Sequence, residues 1–253
     1  MSFPWTIRIG AVDLSAHALF ELCAYVVGFV LVARARRTQG DAVDTDQRWR
    51  LSAAALIGAA LGSKLVHWGE HLPELLAHDD ALAWMGGKSI VGGLIGGALA
   101  VEFIKRRLRI DARTGDVLVV PLCISMMIGR VGCFVSGLAD DTYGTTTSLP
   151  WGIDFGDGVA RHPTQLYEVL FLALLAFVLS RRRALRWAAG ERFDAFFCGY
   201  LAFRVAVDFL KPYSSVPADF GLAATQWAAL GGILWRLRWR SRQALELVPG
   251  VSR

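Results

Sequence analysis

Long apolar blocks alternate with short charged stretches along this chain. A bilayer core asks for about 20 mostly apolar residues per helix. Blocks that meet this demand lie near 17–33, 51–68, 89–104, 117–135, 165–180, 194–210 and 222–235, the Gly-rich third being the weakest. The pattern predicts an all-α integral membrane protein with about seven transmembrane helices. Between the fourth and fifth blocks, residues 136–164 form a long polar stretch rich in Gly, Thr, Asp and Pro. Loops of that length usually carry function or are disordered. Its turn signals are dense, and "LPWGIDF" interleaves aromatics that favour the headgroup level, so the stretch is expected to lie on the outer face of the membrane.

Composition supports the membrane reading. The 253 residues are 54% hydrophobic and 19% charged, with nine Trp and 26 Gly, and the mean hydropathy is +0.41. Such a chain is too apolar and too Gly-rich for an ordinary soluble domain. Cytoplasmic loops beside membrane helices carry an excess of Lys and Arg, and the cations here are strongly polarised. Loop 34–50 holds Arg34, Arg36, Arg37, Arg48 and Arg50; loop 105–113 holds Lys105, Arg106, Arg107, Arg109 and Arg113. Loop 181–192 adds Arg181, Arg182, Arg183, Arg186 and Arg192, and the tail adds Arg236, Arg238, Arg240, Arg242 and Arg253. The opposite side has only Arg8, Lys88, Arg161 and Lys211. This places the N-terminus outside and the C-terminus in the cytoplasm. The net charge of +5 then reflects topology, with anionic membrane lipid as the expected neighbour and no nucleic acid.

The N-terminus lacks the basic start and small-residue cleavage site of a signal peptide and is expected to be retained. Cys23, Cys123, Cys133 and Cys198 are scattered through the spans, which suggests small buried thiols, with neither a disulfide framework nor a zinc site. No repeat or linker divides residues 1–253, so a single polytopic membrane domain is expected.

Three cations, Lys64, Arg130 and Arg204, fall inside or at the end of the spans. An arginine at a helix centre costs on the order of 3 kcal/mol and nearly always faces a protein interior with a partner. Glu21, Glu168 and Asp208 are the available carboxylates for Arg130. Two arginines in one dry pocket repel unless an anion sits between them, and a phospholipid phosphate suits their bidentate grip. Alternatively, Arg130 with a carboxylate and Arg204 with Asp208 simply fix the helix bundle. Lys64 is either a third phosphate contact or a snorkelling side chain. Gly92, Gly93, Gly129 and Gly132 permit close approach of lipid or of a neighbouring helix. Asp140, Asp141, Asp154 and Asp157 match no metal-ligand spacing and read as turn caps. His17, His71 and His78 sit at interfacial positions, and His67 lies near the outer end of the second span.

These residues carry a resemblance. "GRVGCFVSG", "TSLPWGIDF", "RHPTQLYE" and "GYLAFRVAVDFLKP" together resemble the bacterial prolipoprotein diacylglyceryl transferase family. "AYVVGF", "IGAALGSKL" and "VGGLIGG" match further stretches of it. The resemblance implies transfer of the diacylglyceryl group of phosphatidylglycerol to the lipobox cysteine thiol in the signal peptide of a prolipoprotein, releasing glycerol phosphate and forming a thioether. It implies that Arg130 and Arg204 hold the headgroup and stabilise the departing phosphate, since fixed cations in a low-dielectric site lower the barrier to charge build-up. His162 is the candidate base, with Arg161, Gln165, Tyr167, Glu168 and Asp208 near the headgroup. No metal or dissociable cofactor is expected.

Departures accompany the match. Val91 stands where the family's H-G-G-L carries histidine, and Cys133 and Leu138 stand where it carries an amide and a carboxylate. Glu21 replaces a tyrosine, and Asp140 and Asp141 are positioned to return the lost negative charge. Two alternatives stay open: a diverged phospholipid-dependent transferase with another acceptor, and a non-catalytic lipid-binding or transport protein. A retinal photoreceptor is set aside, because the last span has no lysine for a Schiff base.

Overall fold

The computed structural model describes residues 3–9, 12–77, 84–181, 187–212 and 221–246. Among these, seven α-helices fall on the seven apolar blocks: α1 (Ala16–Gln39), α2 (Thr45–Ala77), α3 (Ile90–Leu108), α4 (Val119–Ser136), α5 (Thr164–Ser180), α6 (Glu191–Val207) and α7 (Ala224–Glu246). Three stretches, Ala16–Gln39, Thr45–Ala77 and Asp116–Asp140, are long and apolar enough to cross a membrane, and Thr164–Ser180 is a shorter apolar helix. The sidedness of the chain is inverted relative to a water-soluble protein. Phe29, Leu56 and Leu170 are exposed, whereas Arg130, Glu168, Arg204 and Asp208 are buried. Of the expected cytoplasmic cations, Arg182, Arg183, Arg186 and Arg253 lie outside the described residues, as do His78 and the side chains of Arg8 and Arg242.

Short strands were not expected. Strands β1 (Thr6–Ile9) and β2 (Val12–Ser15) pair antiparallel ahead of α1, and β3 (Ile153–Asp154) pairs with β4 (Ala160–Arg161) inside the long loop. The first pair leads into α1, where the Ala16 N–H donates to the Trp5 carbonyl at 3.1 Å.

By contact, the chain groups into two units, each discontinuous in sequence. The first comprises Met1–Ala42, Arg113–Phe196 and Phe209–Pro212, and so contains α1, α4, α5 and the start of α6. Its core includes Val119, Cys123, Leu172 and Leu179. Asp116 accepts hydrogen bonds from the backbone N–H groups of Gly190 (2.7 Å) and Phe193 (2.9 Å). A carboxylate from before α4 thus satisfies the orphan donors at the start of α6. At the far end of α4, Phe3, Phe134, Tyr143 and Phe155 form an aromatic cluster with ring centroids 5.2–6.1 Å apart. Of the aromatics expected at the headgroup level, Trp151 is exposed but Phe155 is buried.

The second unit comprises Val43–Ala112, Phe197–Asp208 and Tyr213–Arg253. Here α2 and α3 cross on glycine. A Cβ on Gly62 would lie 2.3 Å from the Gly92 carbonyl oxygen, and one on Gly92 2.1 Å from that of Gly62; Gly58 and Gly96 stand in the same reciprocal relation at 2.4 and 2.2 Å. Both helices carry glycine at a four-residue interval, and the two motifs pack backbone to backbone, the arrangement expected where small residues let membrane helices approach. Gly92 therefore serves helix packing, while Gly93 makes only ordinary contact. Ser89 caps α3 by accepting from the Gly92 N–H, and its own N–H donates to Ser63 Oγ at 2.9 Å. In α2, His71 leaves helical geometry (φ −111°, ψ 17°) two residues before Pro73, whose missing donor and ring break the ladder. On α7, the buried Arg236 reaches Glu102 of α3 at 2.9 Å.

Gly62→Ala and Gly96→Ala are expected to destabilise the protein by roughly 2–3 kcal/mol, because backbone cannot yield to the added methyl. Gly129→Ala, whose Cβ would meet nothing within 4 Å, is expected to be neutral or to stabilise by up to about 1 kcal/mol. Thermal denaturation of the detergent-solubilised variants measures the contrast.

Candidate active site

Arg130 lies on α4 about two turns from its end, and Glu168 on the second turn of α5. Both are almost fully buried, and Arg130 Nε stands 2.9 Å from Glu168 Oε1. The approach is that of an ion pair, with the Nε–H directed off the contact axis. Removing one member of such a pair strands the other's charge in a low dielectric. Of the three carboxylates offered by the sequence, Glu168 pairs with Arg130, and Glu21 accepts a hydrogen bond from the Tyr25 hydroxyl at 2.9 Å. Arg130 Nη1 also lies 3.8 Å from Cys133 Sγ, one turn along. Gly132 is held by helix packing, since a Cβ there would come within 2.7 Å of Phe20.

Gln165 sits one helical turn before Glu168 on the same face of α5. It is 1% exposed, and neither its Nε2 nor its Oε1 finds a hydrogen-bond partner among the described residues. Buried amides are almost always satisfied, and each unmade bond costs about 1–3 kcal/mol. A side chain in this state is set up to bond something that arrives later.

The long loop feeds directly into this helix. Its strand pairing extends beyond β3 and β4: the Gly144 N–H donates to the His162 carbonyl (2.8 Å), the His162 N–H to that of Thr145 (3.0 Å) and the Thr147 N–H to that of Ala160 (3.0 Å). A Cβ on Gly144 would press on His162 Cβ at 2.6 Å, so glycine permits the close pass. His162 Nδ1 is thereby placed 3.0 Å from the Tyr167 hydroxyl, which accepts from Trp151 Nε1–H at 2.9 Å. The fixed ring presents Nε2, which makes no hydrogen bond among the described residues. Arg161 turns away, gripping Asp157 through two 2.7 Å bonds and lying over the Tyr143 ring. Hydrogen bonding to Arg161 holds the Asp157 carboxyl below the ordinary range, and the same bond raises Arg161. Burial, with the nearby Asp141 carboxylate, pushes the Tyr143 phenol up.

Asp154 behaves as a turn cap, its Oδ1 accepting from the N–H groups of Gly156, Asp157 and Gly158. Asp141 takes a left-handed conformation (φ 52°) at the end of the 3-10 turn Gly137–Asp140. Asp140 is different: it is half-buried, 3.4 Å from His17 Nδ1 and bonded by the Thr142 hydroxyl at 2.5 Å. His17, read from sequence as an interfacial residue, is thus part of the same end of the first unit. Thr142 and Trp151, which bond Asp140 and Tyr167, are residues that the sequence gives no local reason to select.

The remaining candidates belong to the second unit. Arg204 binds Asp208 on the next turn of the chain, with Nη2 2.8 Å and Nε 3.3 Å from Oδ1, and both are buried. Lys64 neither snorkels nor waits for phosphate: its ammonium donates to the carbonyls of Met85, Gly86 (2.6 Å) and Gly87 (3.0 Å), which uses all three N–H groups. Arg130 and Arg204 thus each face a buried acid, Glu168 and Asp208.

Comparison with known proteins adds an independent line. The family model described as prolipoprotein diacylglyceryl transferase matches residues 4–238. The chain is 33% identical over 233 residues to the phosphatidylglycerol–prolipoprotein diacylglyceryl transferase of Geobacter sulfurreducens, covering 87% of this chain and 85% of that protein. It is 31% identical over 254 residues to the protein of the same name from Bordetella bronchiseptica, covering 91% of each. A relative from Rhizobium meliloti, also so named, is 36% identical over 159 residues, 60% of this chain and 54% of that protein.

Glu168→Ala is expected to destabilise the fold by about 3–5 kcal/mol by stranding Arg130, and the double change Glu168→Leu with Arg130→Met to recover most of that loss. Denaturation midpoints of the single and double variants test this directly.

Proposed function

The chain belongs to the prolipoprotein diacylglyceryl transferase family, and on that footing we propose how its residues perform the reaction. It is a bacterial membrane enzyme that transfers the diacylglyceryl group of phosphatidylglycerol to the lipobox cysteine of a prolipoprotein. A thioether forms and glycerol phosphate leaves. In this reading Arg130 takes the lipid phosphate while Glu168 keeps the guanidinium oriented. The unmade bonds of the Gln165 amide are completed by the headgroup. Charge grows on the phosphate as the carbon–oxygen bond breaks, and a preorganised guanidinium answers it without reorganisation. Arg204, steadied by Asp208, is assigned a role toward phosphate on the match of "GYLAFRVAVDFLKP" to the family. His162, oriented through Nδ1 by Tyr167, takes the proton of the incoming thiol through Nε2, which is within the range of imidazole chemistry near neutral pH.

The observation that carries the reading is Gln165: two buried, unsatisfied polar atoms one turn from a buried guanidinium. A purely structural role for the Arg130–Glu168 pair gives no reason to keep an unsatisfied amide beside it. A single polytopic membrane domain over residues 1–253 is the reading we keep, supported by a family match that runs from residue 4 to 238. Its location is the inner membrane, N-terminus outside and C-terminus cytoplasmic, supported by the skew of Lys and Arg among the loops.

Gln165→Leu is expected to leave thermal stability unchanged or raised while lowering kcat/KM for a lipobox peptide about 10–100-fold, the loss of one or two hydrogen bonds to a charged group. Arg130→Ala and Arg204→Ala are expected to abolish release of glycerol phosphate from labelled phosphatidylglycerol while the protein still inserts. Unchanged turnover in either arginine variant rejects the assignment, and binding of the lipid without release in the wild type favours the lipid-binding alternative.

A further inference from the structure

Helix α7 begins without a complete cap. Its first turn starts at Ala224, which makes Ala223 the N-cap residue, and the Ala223 carbonyl accepts the first bond of the helix from the Trp227 N–H at 3.0 Å. Gln226, three residues after the cap, reaches back with Oε1 to accept from the Ala223 N–H at 2.8 Å. That is one half of a capping box. The other half is a Ser or Thr side chain at the N-cap that accepts from a first-turn N–H, and alanine has nothing to offer. The N–H groups of Ala224, Thr225 and Gln226 are therefore left with no acceptor among the described residues.

This helix start is buried: Ala223 and Gln226 are enclosed, and Thr225 is 1% exposed. The Gln226 Nε2–H group donates to the Val205 carbonyl of α6 at 2.9 Å, which ties the turn to the stretch carrying Arg204. Ala224 packs on α2, where a Cβ on Gly69 would lie 3.6 Å from its own. All of these residues belong to the second unit. Backbone donors held away from water are nearly always paired, so a buried helix end with orphan N–H groups asks for a partner.

A second observation lies in the same turn. Thr225 Oγ1 is buried and makes no hydrogen bond among the described residues. Within a helix a threonine hydroxyl commonly donates to a carbonyl of the preceding turn, but Thr225, second in its helix, has no such turn behind it. The Cα–Cβ bonds of a helix tilt toward its N-terminus, which puts this hydroxyl on the side of the three orphan N–H groups. Three N–H groups and one O–H thus share the positive end of a 23-residue helix, an arrangement that suits an oxyanion.

We propose that the first turn of α7 is a phosphate subsite, in which the N–H groups of Ala224, Thr225 and Gln226 and the Thr225 hydroxyl donate to the phosphate oxygens. This rests on the chain being a phosphatidylglycerol-dependent transferase, whose donor lipid and released glycerol phosphate both carry that group. None of the four donors comes from an arginine, so the subsite is additional to the roles assigned to Arg130 and Arg204.

The test titrates the full chain in detergent with two probes, glycerol phosphate and short-chain phosphatidylglycerol, followed by calorimetry. The titrations use the Arg130→Met, Glu168→Leu background, so that binding at that guanidinium does not mask the subsite. Thr225→Val keeps the shape and loses the hydroxyl; it is expected to weaken binding about 10–100-fold, the loss of a hydrogen bond to a charged group, with an unchanged or raised melting temperature. Thr225→Ser is expected to bind as the parent does. Ala223→Ser completes the capping box, and is expected to raise the melting temperature while weakening binding, because its hydroxyl takes an N–H from the ligand. A response of both probes to Thr225→Val assigns the subsite to phosphate free or on lipid, and a response of the lipid alone assigns it to the headgroup. No binding of either probe by the parent, equal binding by Thr225→Val, or a loss that Thr225→Ser does not restore overturns the proposal and leaves the transferase reading standing. Thr225-dependent phosphate binding, in a wild type that releases no glycerol phosphate when given lipid and lipobox peptide, keeps the subsite and overturns the transferase reading.

Discussion

A guanidinium inside an apolar bundle has to be neutralised where it sits, and the end of the first unit is organised around that requirement. Arg130 faces Glu168 at 2.9 Å, so α4 and α5 are locked in rotation about their axes and in register. That register in turn puts Gln165 on the face of Arg130. The loop before α5 is tied down by its own short strands and by the aromatic cluster at Phe155, which fixes His162 against Tyr167. A charge pair, an unsatisfied amide and an oriented imidazole follow from one another. A buried pair of this kind adds little net stability, and the proposed function gives it a phosphate to meet.

Much of the fold is legible in the sequence because the seven described helices coincide with its apolar blocks, three of them long and apolar enough to cross a membrane. Helix ends are less so. The extension of α2 to Ala77, past Pro73, depends on a local break at His71 that apolarity does not encode. The paired strands Thr6–Ile9 and Val12–Ser15 are missed because their alternation is too short to separate from the apolar start of α1. Phe155 shows the limit of the headgroup rule: the same aromatic residues suit a membrane interface or a protein core, and only the Phe3 and Phe134 rings decide between them.

The candidate site divides in the same way. Arg130 and the "RHPTQLYE" octamer announce themselves, one as a charge in an apolar span and the other as a family motif. Choosing Glu168 over Glu21 as partner requires knowing which helices pack. Lys64 was open to two readings and fits neither, because its three carbonyl acceptors lie more than twenty residues away in sequence. His17 and Cys133 are further apart still, and nothing local marks them as neighbours. The departures at Cys133 and Leu138 look like losses along the chain; in three dimensions Cys133 has gained His17 and Asp140 as neighbours.

The most direct measurement is a structure of the protein with phosphatidylglycerol bound in a lipid nanodisc. The phosphate is expected within hydrogen-bond reach of the Arg130 guanidinium, with the Gln165 amide bonded to the headgroup. A headgroup bound elsewhere, with Arg130 still closed on Glu168 and Gln165 still unsatisfied, would contradict the central claim.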